Sequence, residues 1–254
     1  MAAQLPRQVR FINKAFWRNP ANAFFTFAFP LMFLVIFTAL FGTGTVPVAG
    51  TRVNVSTFYV GAIATFSIIT ATYTNLAINV SFSRDQGVLK RIQGSPIPGW
   101  TYLAGRIVHA VLIAILLVAI VSAFGATFYG AEVPTRTLPA FLLTIAIGAA
   151  SFSALGLALT SVIPNADASP PIVNASILPL LFLSGIFIPI QDPDAWYVTV
   201  AKIFPVYHFA EAMNAAYFSV EGSGLEPGHL LVMGAWGLGG VIAAVLFFSW
   251  EPRR

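Results

Sequence analysis

The sequence has no cysteine and few charged side chains, and each shortage excludes a class of protein. Charged residues make up 9% of the 254 residues and hydrophobic residues 57%, whereas soluble domains carry about 25% charged residues. So few charges cannot cover a surface that faces water, which excludes a water-soluble enzyme and favours a polytopic membrane protein. The lack of cysteine excludes disulfide bonds, thiolate metal sites and cysteine nucleophiles.

Long uncharged segments are the main feature that is present. Each is long enough to cross about 30 Å of hydrocarbon as an α-helix that rises about 1.5 Å per residue. They predict an all-α fold with six membrane spans, at about 21–42, 58–82, 107–129, 138–162, 171–190 and 229–249. Because no repeat, low-complexity tract or flexible linker divides the chain, we expect a single transmembrane domain over 1–254.

The distribution of lysine and arginine predicts the orientation of these spans. Ten of the thirteen lie before the first predicted span, in the connection between the second and third, or in the C-terminal tail. The other three, Arg52, Arg136 and Lys202, lie in the opposite connections. The positive-inside rule therefore places both termini in the cytoplasm. Since the basic residues are not gathered in one patch, we expect no nucleic-acid partner.

A predicted helix at about 5–19 has one basic face and one apolar face. The basic residues are Arg7, Arg10, Lys14 and Arg18. The residues on the opposite face are Leu5, Val9, Ile12 and Phe16. Such a helix lies flat on the inner leaflet with its cations at lipid phosphates, so membrane lipid is an expected partner. It either only anchors the chain or also contacts a cytoplasmic partner.

A charged cytoplasmic connection follows the second predicted span. It predicts a short helix, about 84–94, which ends before the segment Ser95-Pro-Ile-Pro-Gly99. Exposed apolar side chains on this helix, at Val88, Leu89 and Ile92, would suit docking against a soluble protein. From the residues alone, an ordinary charged loop is the alternative interpretation.

Several short motifs carry a resemblance to a known family. In this connection they are Asp85 followed by Gly87-Val-Leu-Lys-Arg91, then Gly94-Ser-Pro-Ile-Pro98 and Tyr102-Leu-Ala-Gly-Arg106. They resemble the first cytoplasmic loop of type-2 ATP-binding cassette (ABC) exporter permeases, such as the daunorubicin/doxorubicin-resistance permeases. Other segments that resemble the family, in the same order, are Arg18–Phe25, Ser184–Pro189 and Trp196–Phe218. The last of these predicts short outer helices between the fifth and sixth spans.

The resemblance implies a mechanism in which the helix at about 84–94 is a coupling helix. It would sit in a groove of a separate ATPase subunit, braced by the N-terminal helix. The residues implied in ATPase coupling are Arg84, Asp85, Gly87, Val88, Leu89, Lys90 and Arg91. ATP and Mg²⁺ would bind the partner ATPase, because this chain has no GxxxxGK[ST] phosphate-binding loop and is not expected to be an enzyme. The permease would work as a pair, with a second copy or with a related permease.

The cores of the six predicted spans contain no Asp, Glu, Lys or Arg, which disfavours a proton-coupled carrier. The resemblance implies that the second and fifth spans line the central cavity of the permease pair. The residues implied in this substrate path are Thr72, Asn75, Asn79, Asn174, Leu178 and Phe182. The alternative is that the asparagines form contacts between helices. No carboxylate or histidine pair within a span has the spacing of metal ligands, so no metal is expected.

Together with the resemblance to type-2 ABC exporter permeases, these features predict that the chain is the transmembrane subunit of an ATP-driven exporter in a bacterial cytoplasmic membrane. An uncharged path favours a hydrophobic or amphipathic substrate, such as a drug or a lipid-like molecule. The alternative is a stand-alone carrier or channel that needs no ATPase.

Overall fold

The computed structural model of the protein describes residues 4–42, 44–48, 51–95, 98–190, 192–219 and 222–251. Within these ranges the chain forms eleven α-helices and one β-hairpin. The helices are α1 (Gln4–Trp17), α2 (Pro20–Phe41), α3 (Val55–Ile69), α4 (Asn75–Asp85), α5 (Val88–Gln93), α6 (Gly99–Tyr129), α7 (Leu138–Leu159), α8 (Ser169–Leu183), α9 (Trp196–Ala201), α10 (Pro205–Phe218) and α11 (Pro227–Phe247). The hairpin strands are β1 (Thr45–Val48) and β2 (Thr51–Asn54). A π-helical turn, Thr70–Thr74, joins α3 to α4.

Among the described residues, five helical segments are long and apolar enough to cross a membrane, which confirms an all-α polytopic membrane fold. They are Pro20–Phe41, Val55–Asp85, Gly99–Tyr129, Leu138–Leu159 and Pro227–Phe247. The segment predicted as the fifth of six spans, 171–190, forms a shorter helix. This helix, α8, has 15 residues, about 22 Å of helix, and an irregular apolar stretch follows it to Ile190. The count of six spans therefore stays a prediction.

The second and third spans are longer than the sequence predicted. The second covers Val55–Asp85 instead of 58–82, and the third covers Gly99–Tyr129 instead of 107–129. Each has 31 residues, about 46 Å of helix, against about 30 Å of hydrocarbon. The prediction is short because it stops at charged residues, whereas a helix can continue past them into water.

Most of this additional helix, at 83–85 and 99–106, lies at the end of the molecule that also holds α1 and α5. We call it the basic end, because most of the described lysines and arginines are there. The opposite end, with β1 and β2, is called the hairpin end. The hairpin is missing from the sequence prediction. Its strands pair antiparallel with Val46 opposite Val53, and both valines pack against the main core. Their alternation with polar residues is the strand signal, but each strand has only four residues.

The centre of the fold is α3. Almost every side chain along it is buried, and it packs against α2, α6, α7 and α10. A helix that is apolar all round is typical of such a buried position. Small residues allow the helices to approach closely. A Cβ added at Gly125 of α6 would collide with Val60, and one added at Gly61 would collide with Phe218 of α10.

The helix α10 is packed among the spans. The sequence predicts a helix over 203–219 that lies at the outer leaflet or dips into it. In the structure, most side chains of α10 are buried against α3, α7, α8 and α11. Phe209, for example, is fully buried, and a Cβ added at Gly148 of α7 would collide with its ring. α10 is therefore part of the protein core, and the predicted short outer helices correspond to α9 and α10.

Candidate functional site

The connection between α4 and α6 forms two pieces instead of the single predicted helix at about 84–94. α4 ends at Asp85, and α5 begins at Val88. Between them, Gly87 has a φ of +69°, in the left-handed region that favours glycine. A left-handed residue cannot continue a right-handed helix, so the chain changes direction here. Arg84 and Asp85 therefore belong to the last turn of the second span and not to the short helix.

Leu89 seats α5 on the membrane domain. Its exposed fraction is 0%, and it packs in a cluster with Leu76, Val80, Tyr102 and Leu157. The sequence predicted an exposed docking residue at this position, and that prediction is wrong. The reason is that α5 packs back against α4, α6 and α7, whose side chains cover its inner side. A hydrophobic contact of α5 with a partner would fall to Val88 and Ile92, which are half-buried.

Arg84 is directed into the protein. Its exposed fraction is 1%, and its guanidinium donates to two carbonyl oxygens just after α7. Nη1 lies 2.9 Å from the oxygen of Thr160, and Nη2 lies 2.5 Å from that of Ile163. A side chain buried in this way cannot touch a separate subunit in this conformation. The expected direct contact of Arg84 with an ATPase is therefore corrected to an internal contact.

Asp85 makes a second internal contact with the same connection between α7 and α8. The side chain is half-buried, and its Oδ2 accepts a hydrogen bond of 2.6 Å from the backbone N–H of Ala166. This connection contains no lysine or arginine of its own, so a contact there was not predicted. Two consecutive residues of α4 thus bind the end of α7 and the segment that leads into α8.

Lys90 and Arg91 are exposed on the outer side of α5. Lys90 Nζ lies 3.2 Å from Glu251 Oε1, and both side chains are exposed. Arg91 donates to the backbone oxygens of Gln86, at 3.0 Å, and of Gly87, at 3.4 Å. Neither of these two basic side chains is buried, and within the described residues neither is hydrogen-bonded to another membrane span. They form the basic surface of α5, and their role in ATPase coupling stays a prediction.

The three basic side chains of α1, Arg7, Arg10 and Lys14, are all exposed, and so is Arg18, which directly follows the helix. The sequence predicted that the opposite face enters the lipid, but in the structure part of it contacts α6. Ile12 is buried, and a Cβ added at Gly105 would press against Ile12 and Gln8. Phe16 meets His109 of α6 edge to face, with ring centroids 5.4 Å apart. Contact of α1 with lipid or an ATPase stays a prediction.

Two of the predicted path residues line a polar crevice at the basic end, between α1, α2, α4 and α6. They are Asn75 and Asn79, and the crevice has a volume of about 50 Å³. A second cleft, of about 190 Å³, shares Asn75 and continues along α2. The sequence missed three other polar residues of this crevice, which are Asn22, Arg106 and His109. Arg106 is oriented by hydrogen bonds of 2.7 Å to Tyr102 Oη and 2.9 Å to Ser83 Oγ.

Thr72 does not belong to the substrate path in this conformation. It is fully buried, and its hydroxyl donates to the oxygen of Ile68 at 2.6 Å. The sequence placed Thr72 and Asn79 on one face by α-helical spacing. The π-helical turn Thr70–Thr74 contains wider turns than an α-helix, so residues before and after it face different directions. Asn79 is exposed, whereas Thr72 faces the core.

The predicted path residues of α8 share one exposed side. They are Asn174, Leu178 and Phe182, and the exposed fractions of the last two are 43% and 54%. At the end of α8, Gly185 adopts a φ of +76°, which turns the chain so that Phe187 points inward. Phe187 is buried against Phe33, Phe37 and Phe66, with ring centroids 5.4 to 6.0 Å apart. The side formed by Asn174, Leu178 and Phe182 is therefore open within one chain, and its place in a cavity between two permeases stays a prediction.

A cavity of about 200 Å³ lies at the hairpin end, lined by Tyr207, Glu211 and Asn214 of α10 and by residues after α8. Burial raises the pKa of the Glu211 carboxyl, and the negative charge of Glu226 raises it further. A hydrogen bond with Asn214 and the positive charge of Lys202 oppose this rise in pKa. The sequence contains no local signal for this cavity, because its walls come from distant segments.

Two histidines lie close to this region. His208 Nδ1 and His229 Nδ1 are 2.8 Å apart, and His208 Nε2 lies 2.9 Å from the oxygen of Lys202. When both rings are neutral, His208 donates through Nε2 and accepts a hydrogen bond from His229. Among the described residues, no three His, Asp or Glu side chains are grouped so that they could hold a metal ion.

Residues 8–218 match the ABC-2 type transporter family. A relative in Escherichia coli, named as the multidrug ABC transporter permease YbhR, is 27% identical over 142 residues, which are 56% of this chain and 38% of that protein. The chain therefore covers well under half the length of this relative. A protein of Porphyra purpurea, named as the transport permease ycf38, is 23% identical over 237 residues, or 92% of this chain and 80% of that protein. The corresponding protein of Pyropia yezoensis is 24% identical over 208 residues, or 81% of this chain and 70% of that protein.

Proposed function

Because the chain belongs to the ABC-2 type transporter family, and is thus a membrane subunit of a transporter, we propose that it is the permease of an ATP-driven exporter. A separate ATPase subunit would supply the energy. The observation that carries this proposal is the position of α5. This short helix is fixed to the ends of the long spans through Leu89 and presents Lys90 and Arg91 outward. A helix held in this way can receive a force from a soluble subunit and pass it to the membrane domain.

The proposed assembly contains two permeases and two ATPase subunits. The second permease is another copy of this chain or a related one, and it would cover the open side of α8. ATP and Mg²⁺ bind the ATPase subunits and supply the energy that closes them on each other. In this chain, the exposed basic surfaces of α1 and α5 bind the ATPase, and α5 transmits its movement to the spans. Both termini face the cytoplasm of a bacterial cell, because the basic end would lie on that side.

The proposed substrate is a hydrophobic or amphipathic molecule, such as a drug or a lipid-like compound. Support comes from Asn75, Asn79 and Asn174, whose neutral amides are accessible. The charged residue of the crevice, Arg106, is held by hydrogen bonds to Tyr102 and Ser83. Buried hydroxyls of the second span, such as those of Thr65 and Ser67, donate to their own helix and do not form a polar pathway. A path of this kind suits an apolar body with a small polar group better than it suits an ion.

ATP-dependent uptake of doxorubicin into inside-out membrane vesicles would test this proposal. We expect vesicles that contain the chain and its associated ATPase to take up this fluorescent amphipathic probe with ATP and not with a non-hydrolysable ATP analogue. Purification in a mild detergent should retain the ATPase. Uptake that continues without ATP, together with a preparation that retains no ATPase, would favour a stand-alone carrier and contradict the proposal.

A matched pair of variants tests the path. Asn79→Leu removes an exposed amide, and we expect it to lower the uptake of doxorubicin. Thr72→Val removes a hydroxyl that is fully buried and bonded to its own helix, so we expect nearly unchanged uptake. Equal losses in the two variants, at equal amounts of inserted protein, would remove Asn79 from the path.

A further inference from the structure

We propose that Arg84 and Asp85 form a clamp that joins the end of α4 to the end of α7 and to the segment that leads into α8. They act as positioning residues, which make α7 and α8 follow any movement of α4 and α5. This inference rests on the proposed function in one respect, namely that an ATPase moves α5. The clamp itself is a contact within the chain and can be tested without a partner.

Arg84 binds the end of α7. The last carbonyl groups of a helix have no partner within the helix, and the helix dipole makes this end partly negative. Thr160, which ends α7, and Ile163, which follows it, direct their backbone oxygens at the two terminal nitrogens of Arg84. The guanidinium fits this place because it is planar, always charged and able to donate several hydrogen bonds at once. A buried positive charge is thus balanced by backbone dipoles.

Asp85 binds the segment that leads into α8. Its Oδ2 accepts from the N–H of Ala166, and the carbonyl of Ala166 in turn accepts from Ser169. Ser169 is the first residue of α8, and both its N–H and its hydroxyl donate to this carbonyl, at 3.0 and 2.6 Å. A displacement of Asp85 would therefore pull directly on the first turn of α8.

Arg84 and Asp85 are consecutive residues, so the clamp can hold two other parts of the chain through a single segment. Both lie on the last turn of α4, so one rigid segment holds the end of α7 and the start of α8 together. Immediately after Asp85 and Gln86, the left-handed Gly87 turns the chain into α5, which Leu89 anchors to α4, α6 and α7. Only Gln86 and Gly87 separate Asp85 from α5, so a force on α5 has a short route through Asp85 to α8. α8 carries the open side with Asn174, Leu178 and Phe182, so the clamp connects the basic surface of α5 with the proposed path.

Hydrogen exchange of the chain in lipid nanodiscs tests the clamp directly. Asp85→Ala removes the acceptor of the Ala166 N–H, so we expect exchange in the peptide 160–170 to be about tenfold faster. Asp85→Asn keeps an acceptor oxygen and should restore most of the protection. Arg84→Gln should also speed exchange in 160–170, and Arg84→Lys, which keeps a charged donor, should do so less. If Arg84→Gln does not fold, Arg84→Lys and the two Asp85 variants still provide the test.

Arg91→Gln is the matched control for charge. It removes a positive charge from the same connection, but Arg91 donates only to Gln86 and Gly87. We expect exchange in 160–170 to stay as in the unmodified chain. Unchanged exchange in Asp85→Ala would overturn the clamp. Faster exchange spread over α3 and α6 as well would also overturn it, because it would indicate general destabilisation and not a local contact.

The transmission step is tested by the ratio of doxorubicin transported to ATP hydrolysed, in vesicles that contain the ATPase. We expect Asp85→Ala to keep the ATPase bound and active but to lower this ratio about tenfold, because α8 no longer follows α5. Asp85→Asn should restore most of the ratio of doxorubicin transported to ATP hydrolysed. An unchanged ratio in Asp85→Ala, together with faster exchange, would overturn the transmission role. If the unmodified chain shows no ATP-dependent transport, the proposed function fails and the transmission step fails with it, while hydrogen exchange still decides whether the clamp exists.

Discussion

The basic end and the hairpin end of the molecule both bury ionisable side chains, but they balance them differently. At the basic end, Arg84 and Asp85 bond to backbone groups of opposite polarity at two helix ends. At the hairpin end, the half-buried Glu211 lines a cavity, and the negative charge of Glu226 repels its charge. The first pair therefore connects three parts of the fold through hydrogen bonds to the backbone. The Glu211 carboxyl is instead shifted toward its neutral form.

The largest effect is expected from Leu89→Ala at the basic end. This substitution removes a fully buried side chain, and such changes cost about 2–5 kcal/mol of unfolding free energy. Val88→Ala, on the adjacent half-buried residue, is the matched control and should cost about 1 kcal/mol. Chemical unfolding in detergent would measure both. Equal costs would mean that α5 is not seated through Leu89.

A smaller effect is expected when the basic surface of α5 is reversed with Lys90→Glu and Arg91→Glu. Both side chains are exposed, so insertion and folding should continue, while binding of the ATPase weakens about tenfold and depends less on salt. The amount of ATPase retained during purification at several salt concentrations is the measurement. Lys202→Glu at the hairpin end is the control and should leave retention unchanged. If Lys202→Glu lowered ATPase retention by the same factor, the ATPase would not be bound specifically at the basic end.

The third prediction concerns the pH dependence contributed by Glu211. In the folded protein its pKa lies above the ordinary value of 4.5, so folding favours the protonated form. The stabilisation is complete below 4.5 and is lost as the pH rises through the higher pKa of the folded protein. Glu211→Gln should therefore flatten the curve of thermal stability against pH across this interval. The exposed Glu132 provides the control, since Glu132→Gln should keep the slope, and an unchanged slope in Glu211→Gln would contradict the burial argument.

The smallest effect is expected from Glu251→Gln, which breaks the ion pair with Lys90. Both side chains are exposed, and surface pairs of this kind contribute about 0.2–1 kcal/mol. The unfolding free energy should change little, and the freed Lys90 should bind the ATPase slightly better. A large loss of stability would show that the C-terminal segment holds α5 in place. In that case both Leu89 and the C-terminal segment would hold α5 in place.

The sequence predicted the parts of the fold that depend on local pattern. The uncharged segments correspond to long helices. The basic face and the apolar face of α1 follow from the regular spacing of its basic residues. The sequence prediction failed where a single local feature changed the direction or the spacing of a helix. Gly87 divides the predicted helix at 84–94, and the π-helical turn at Thr70–Thr74 separates Thr72 from Asn79. A single glycine and one wide turn leave too weak a pattern to be read from spacing.

Hydropathy and charge are properties of each segment alone, so they predicted an all-α membrane protein with most of its lysines and arginines on one side of the membrane. Which charges face inward depends instead on tertiary packing. Arg84, Asp85, Lys90 and Arg91 look alike in a list of charged residues, but only the first two meet helix ends. Those ends lie 76 to 81 residues further along the chain, and they can balance a buried charge only after the helices have packed together.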